Sequence, residues 1–150
     1  NINEKNKRRG VAGMIYVYKI AGALAETGAE FEDVKKIAIK TNENVRTMGI
    51  ALTPCILPQA GKPTFEIEDD EMEIGMGIHG EPGIRRGKLK SANEITDELF
   101  QKLIEDGNLE KGDKISLLIN SLGATPLEEL FIVSNKLQDK IGRASCRERV

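Results

Sequence analysis

The chain has 150 residues, a length that suits about one domain. It is 39% hydrophobic and 31% charged, so it can bury a core, and it lacks the low-hydrophobicity, high-net-charge signature of disorder. A net charge of −2 supplies no basic field for nucleic acid or an anionic membrane, and no apolar run approaches the roughly 18 residues of a membrane span.

Residues 1–10 are polar and basic, without the apolar stretch of a secretory signal. The first residue is Asn rather than Met, which reads as a missing N-terminal part. Residues 10–26 are predicted helical, with Val11, Met14, Ile15, Tyr18, Ala21 and Ala25 recurring at spacings of three and four and Gly28 as terminator. Gly13 and Gly22 inside that pattern each cost about 1 kcal/mol against Ala, and suggest a closely packed neighbour. A second helix is predicted over residues 31–49, with Glu32 and Asp33 in its first turn and Val34, Ile37, Ala38, Val45 and Met48 on its apolar face. Residues 50–57 are apolar but contain Thr53-Pro54, so an edge or irregular strand is expected.

Residues 59–90 are rich in Gly and Pro and show no helical period. Strands are expected at 64–67 and 72–78. In the second, Met72, Ile74, Met76 and Ile78 alternate with Glu71, Glu73, Gly75 and Gly77, which predicts one buried face, and Gly80-Glu81-Pro82-Gly83 then forces a turn. Residues 91–106 form a third predicted helix. Ser91 and Glu94 make a capping box, Ile95, Leu99, Leu103 and Ile104 make the stripe, and Gly107 is the stop. Residues 113–120, with Ile115, Leu117, Leu118 and Ile119, are expected to be a short buried strand. Thr125 then caps a fourth helix with Pro126 in its first position, and the helix runs through Leu127, Leu130, Phe131, Val133 and Leu137. The order implies an α/β fold, a mixed β-sheet covered by helices.

Helical patterning stops at residues 141–150, IGRASCRERV, a string that resembles one translated reading frame of a common sequencing adapter. It is read as read-through and set aside. The two cysteines, Cys55 and Cys146, fit neither a disulfide framework nor a zinc pattern, and a reduced cytosolic protein is the plain reading. Cys55 reads as a small hydrophobe.

Gly75-Met76-Gly77-Ile78-His79-Gly80 fits G-x-G-x-x-G, but a dinucleotide site needs that motif to open a helix, and a turn and basic residues follow instead. His79 is the only histidine. A structural histidine at a strand end is the default for such a residue. Its place after an alternating strand, between glycines that admit a small ligand and in a turn-rich loop, favours function. A neutral imidazole nitrogen is a competent nucleophile toward a carbonyl. One histidine makes no metal site, and no second ligand stands at useful spacing. The acidic run Glu68 to Glu71, with Glu73, lacks the spacing of a calcium loop and reads as solvated. Arg85-Arg86, Lys88 and Arg8-Arg9 could hold a phosphate, but surface charge or a partner contact is the simpler role.

Five segments occur in the order of one family: RRGVAG at 8–13, KIAGALAE at 19–26, GKPTFE at 61–66, DEMEIGMGIHGEPGIRR at 70–86 and LGATPLEEL at 122–130. Together they resemble the substrate-binding subunit of dihydroxyacetone (glycerone) kinases over about residues 8–140. GIHGEPG is the most specific of them. The resemblance implies a two-domain α/β subunit, usually a cytoplasmic homodimer of glycerol metabolism. Residues 1–30 would be the end of a truncated first domain, and 31–140 the second domain, with a soft boundary near 28–31. It implies that His79 captures dihydroxyacetone covalently as a hemiaminal and so serves as both the substrate-binding and the catalytic residue. Phosphoryl transfer to a terminal hydroxyl would follow, from ATP or from ADP with Mg on a partner domain or subunit that a phosphoenolpyruvate-driven relay recharges. No cofactor or metal is expected on this chain. The family's acid/base His and Asp lie upstream of the position of Arg8, so the piece is expected to be catalytically incomplete. A non-catalytic coregulator that binds dihydroxyacetone is the alternative within the same family.

Overall fold

The computed structural model describes residues 8–56, 58–77 and 83–141. The residues fall into two compact units, Arg9–Thr47 and the remainder.

In the first unit a 3₁₀ turn, Val11–Gly13, leads into α1, Met14–Glu26, which packs against α2, Phe31–Asn44. Residues 28–31, near which the sequence places a soft boundary, lie inside this unit. Gly13 does meet a close neighbour, since a Cβ there would stand 2.5 Å from Val45 Cγ1. Gly22 does not, with nothing within 4 Å. Helix α2 stops five residues before the expected 49. The Asn44 side chain donates to the Lys40 carbonyl at 2.8 Å, and Val45 takes an extended conformation (φ −73°, ψ 131°). Asn competes for backbone partners and β-branched Val favours extended backbone, so the helix ends where both occur together.

In the second unit β1 (Ile50–Ala51), β2 (Glu71–Ile74) and β3 (Arg85–Lys88) form one antiparallel sheet in that order. Helices α3 (Ala92–Gly107) and α4 (Leu127–Ile141) pack against each other. The expected α/β class is present. Among the described residues its paired strands are all antiparallel. Met72, Ile74 and Ile95 form the buried cluster, with Met48, Ile50 and Leu99 against it. The capping box appears as expected: Ser91 Oγ accepts from the Glu94 N–H, and Glu94 Oε2 accepts from the Ser91 N–H at 3.0 Å. The helix runs through Gly107, one residue beyond the expected 106, because Asn108 rather than Gly107 adopts the left-handed conformation (φ 50°) that closes it. Asp97 of α3 ties to α4 through Lys140 at 2.9 Å and Lys136 at 3.4 Å.

Four strand expectations change. Residues 64–67 form no strand. Their neighbourhood holds only an isolated bridge, Ile56 to Pro63, and Pro63 has no N–H with which to extend a ladder. Residues 113–120 alternate in burial as a strand does, yet they form no ladder among the described residues. Most directly, residues 85–88, read as basic residues following a turn, are strand β3, and β2 stops at Ile74 rather than running to 78.

Candidate functional site

The segment of interest is the β2–β3 hairpin, whose connection carries GIHGEPG. Residues 78–82, and with them His79, lie outside the described residues, as do all of the adapter-like residues 141–150 except Ile141, which ends α4. The geometry of the site is therefore that of the ends holding this connection.

On the β2 side, Gly75 leaves the strand at φ 77°, a conformation that costs a β-carbon-bearing residue dearly, and its N–H donates to the Gly49 carbonyl at 2.8 Å. On the β3 side, the Ile84 N–H donates to the Ile74 carbonyl at 2.8 Å, closing the hairpin. Gly83 has no room for a side chain. A Cβ there would press on the Ile74 carbonyl oxygen and stand 2.8 Å from Glu73 Cγ.

Glu73 joins these ends. Its side chain is only 9% exposed. Oε1 accepts from the Gly83 N–H at 2.6 Å, and Oε2 accepts from Arg86 Nη2 at 2.8 Å and Nε at 3.1 Å. Glu73 and Arg86 are direct cross-strand partners. Burial works to raise the Glu73 pKa, but the hydrogen bonds from Arg86 and Gly83, with the Arg86 charge, outweigh it and hold the carboxyl below the usual glutamate range. The same contact raises the Arg86 pKa. Glu73 is thus not the solvated member of an acidic run that its neighbours suggest. A simple alternation of buried and exposed faces fails here, since Met72, Glu73 and Ile74 are all buried.

The other basic residues are also engaged within the chain. Arg85 binds Glu98 and Lys88 binds Asp70. Arg8 donates to Asp106 at 2.7 Å. These pairs favour structural roles over a phosphate cradle. Among the described residues the element after the G-x-G-x-x-G motif is β3, not the helix whose N-terminus a dinucleotide reading needs. Among the described residues no cluster of His, Cys, Asp and Glu could hold a metal ion, and no helix is long and apolar enough to cross a membrane. Cys55, read as a buried small hydrophobe, is exposed. The Glu73–Gly83–Arg86 arrangement was not legible in sequence. Its one trace is an acid in an apolar strand and an arginine placed symmetrically beyond the turn.

The sequence matches the Dak1 domain over residues 1–148. Among curated proteins it is 43% identical over 140 residues to the dihydroxyacetone-binding subunit DhaK of PTS-dependent dihydroxyacetone kinase 1 of Listeria innocua, covering 93% of this chain and 43% of that protein. It is 47% identical over 128 residues to the dihydroxyacetone-binding subunit DhaK of the PTS-dependent dihydroxyacetone kinase of Lactococcus lactis, covering 85% of this chain and 39% of that one. The chain thus spans about two fifths of these relatives. Among solved structures it resembles a dihydroxyacetone kinase operon co-activator, Dha-DhaQ, with a TM-score of 0.83 at 34% identity, covering 93% of this chain and 43% of that one. It also resembles the dihydroxyacetone kinase of C. freundii in complex with AMP-PNP and Mg2+, with a TM-score of 0.75 at 32% identity, covering 84% and 23%. The chain belongs to the Dak1 domain family.

Proposed function

We propose that this chain is the ketone-holding part of a dihydroxyacetone kinase and that His79 captures dihydroxyacetone covalently. The observation that carries the reading is the β2–β3 hairpin. Its two ends are fixed by Ile74, Glu73 and Gly83, and its connection contains the chain's single histidine. The names of the Listeria and Lactococcus relatives point to the same ligand.

The chemistry is balanced without a co-reactant. The lone pair of the neutral imidazole nitrogen adds to the carbonyl carbon, and the carbonyl π pair moves onto oxygen. That oxygen gains a proton while the ring loses the proton on its other nitrogen, leaving a neutral hemiaminal. Capture immobilises a small substrate and presents a terminal hydroxyl in fixed orientation, which turns a bimolecular step into a nearly unimolecular one. The phosphoryl donor, ATP or recharged ADP with Mg, sits on a partner domain or subunit, and transfer follows the positioning and charge-neutralising logic of phosphoryl chemistry. The homodimeric, cytoplasmic state implied by the family resemblance belongs to the same proposal.

A second reading has its own support: the similarity to the Dha-DhaQ co-activator suits a ketone-binding coregulator without kinase activity. Carbon NMR with carbonyl-labelled dihydroxyacetone tests the shared step. A tetrahedral carbon signal with the parent protein and none with His79→Ala supports capture, whereas equal binding by His79→Ala rejects it. Phosphorylation of the ketone by the full-length protein with its nucleotide-bearing partner then separates kinase from coregulator.

A further inference from the structure

We propose that the outer face of α1 is one side of a core whose other side lies beyond the present 150 residues. The stripe Met14, Ile15, Tyr18, Gly22 and Ala25 is covered by an apolar layer of the same polypeptide, in the longer form that the family's chains take. The proposal is independent of the capture reading of His79.

Three observations carry it. First, the unit Arg9–Thr47 has no core of its own. All of its residues are described, and Gly13, which has no side chain, is the only buried one. Helices draw most of their stability from the surface they pack upon, and two that bury no side chain between them need a further surface. Second, α1 is apolar on two sides. Of its 13 residues only Lys19 and Glu26 are charged. Val17, Ala21 and Leu24, half-buried, form one stripe. Met14, Ile15, Tyr18, Gly22 and Ala25, at spacings of three and four, form another, and it is exposed: Met14 by 54%, Ile15 by 47% and Tyr18 by 67%. This second stripe holds most of the periodic residues that predict a core-facing side. Helix α2, by contrast, shows a single half-buried stripe, Val34, Ile37, Ala38 and Thr41, as a surface helix does. A helix apolar all round belongs in an interior.

Third, size and kinship select the occupant. A helix of 13 residues is about 20 Å long, and at a width of roughly 10 Å its face offers about 200 Å². A stable interface between separate proteins takes about 800 Å² from each partner, so a second copy or another subunit is a poor match to this face alone. A layer tethered in the same polypeptide avoids the cost of association and can use a small face. The curated relatives have chain to supply it, since this sequence spans about two fifths of their length.

The test is made on the full-length native protein. Tyr18→p-benzoylphenylalanine keeps an aromatic ring in the stripe and, on irradiation, bonds to whatever lies against it, and peptide mass spectrometry then identifies the neighbour. The expected adduct joins this position to an apolar segment of the same polypeptide outside the present sequence. An adduct to a second copy, an adduct to a segment within the present sequence, or no adduct overturns the proposal. Should the bulkier ring prevent folding, hydroxyl-radical oxidation of the unsubstituted protein decides. Met14 and Tyr18 are expected to lose most of the reactivity that they show in the urea-unfolded protein, at every protein concentration. Full reactivity in the native protein overturns the proposal. Protection that vanishes on dilution overturns it too, because a second copy would then be the cover.

Discussion

Arg85 on β3 donates through Nη2 to both carboxylate oxygens of Glu98 on α3, at 2.6 and 2.7 Å. Lys90 adds a third contact to the same carboxylate at 2.8 Å, so Glu98 receives one cation from β3 and one from the β3–α3 connection. Hydrogen bonding from Lys90 foremost, and from Arg85, outweighs desolvation and holds the Glu98 pKa below the ordinary glutamate value. The Asp97 carboxyl is lowered in the same way, chiefly by Lys140. The folded state therefore binds these protons more weakly than the unfolded chain. The stability they contribute is complete above the unfolded carboxylate pKa, about 4, and is lost as pH falls through the lower folded values. Urea unfolding followed from pH 7 downward should show a stability plateau that declines in acid. Glu98→Gln should make the decline shallower and lower stability at pH 7 by no more than about 1 kcal/mol, since its partners reach solvent. A decline of unchanged steepness would count against Glu98.

The Ser91–Glu94 capping box makes a second prediction. Ser91→Ala removes the oxygen that accepts the Glu94 N–H and should cost about 1 kcal/mol. The loss should appear in the urea midpoint and in faster amide exchange over the first turn of α3. Ser91→Asp restores an acceptor and should recover most of it. Equal stability of the Ala and Asp variants would mean that the cap is idle.

That box was legible because it is local: a hydroxyl and a carboxylate three residues apart before an apolar stripe. All four helices were legible for the same reason, through the spacing of residues such as Ile95, Leu99 and Leu103. Their ends were less so. Asn108 rather than Gly107 takes the left-handed position, since either residue tolerates it and only the packed backbone chooses. Strand β3 was hidden because Arg85, Arg86 and Lys88 carry no apolar alternation. Their strand character comes from acids opposite or nearby, and those partners become visible only once the register Glu73 to Arg86 is known. The stretch 113–120 shows the reverse case, an alternating segment without a ladder among the described residues, because pattern reports burial while pairing needs a neighbour. The family resemblance singles out His79, whereas Glu73, the buried carboxylate on β2, left only the trace of an acid in an apolar strand with an arginine beyond the turn.

Met72 lies at 0% exposure and Ile74 at 1%, beneath Ile95 of α3. Truncating Met72 leaves a cavity in a small core with few ways to collapse. Met72→Ala should therefore cost about 2–5 kcal/mol, the range for large-to-small core changes. Met72→Leu, which nearly conserves volume, should cost less than about 1.5 kcal/mol. Chemical denaturation of the three proteins checks both. A loss below about 1 kcal/mol for the alanine variant would show that the sheet–helix contact is not where this unit draws its stability.

Covalent capture at His79 also predicts which ligands are refused. Glycerol has the size and hydroxyls of dihydroxyacetone but no electrophilic carbon, so it can offer hydrogen bonds and no hemiaminal. If the covalent bond dominates affinity, a large excess of glycerol should leave the tetrahedral carbon signal of labelled dihydroxyacetone intact, while a second short-chain ketone with a terminal hydroxyl should compete. The same chemistry fixes the pH response. A protonated imidazole has no lone pair to add, so the adduct should be lost in acid solution and return on neutralisation, whereas a site held by hydrogen bonds to the hydroxyls would keep its ligand. Displacement by glycerol, or an adduct indifferent to acid under conditions where the protein remains folded, would show that the ketone is held by shape and hydrogen bonding rather than by His79.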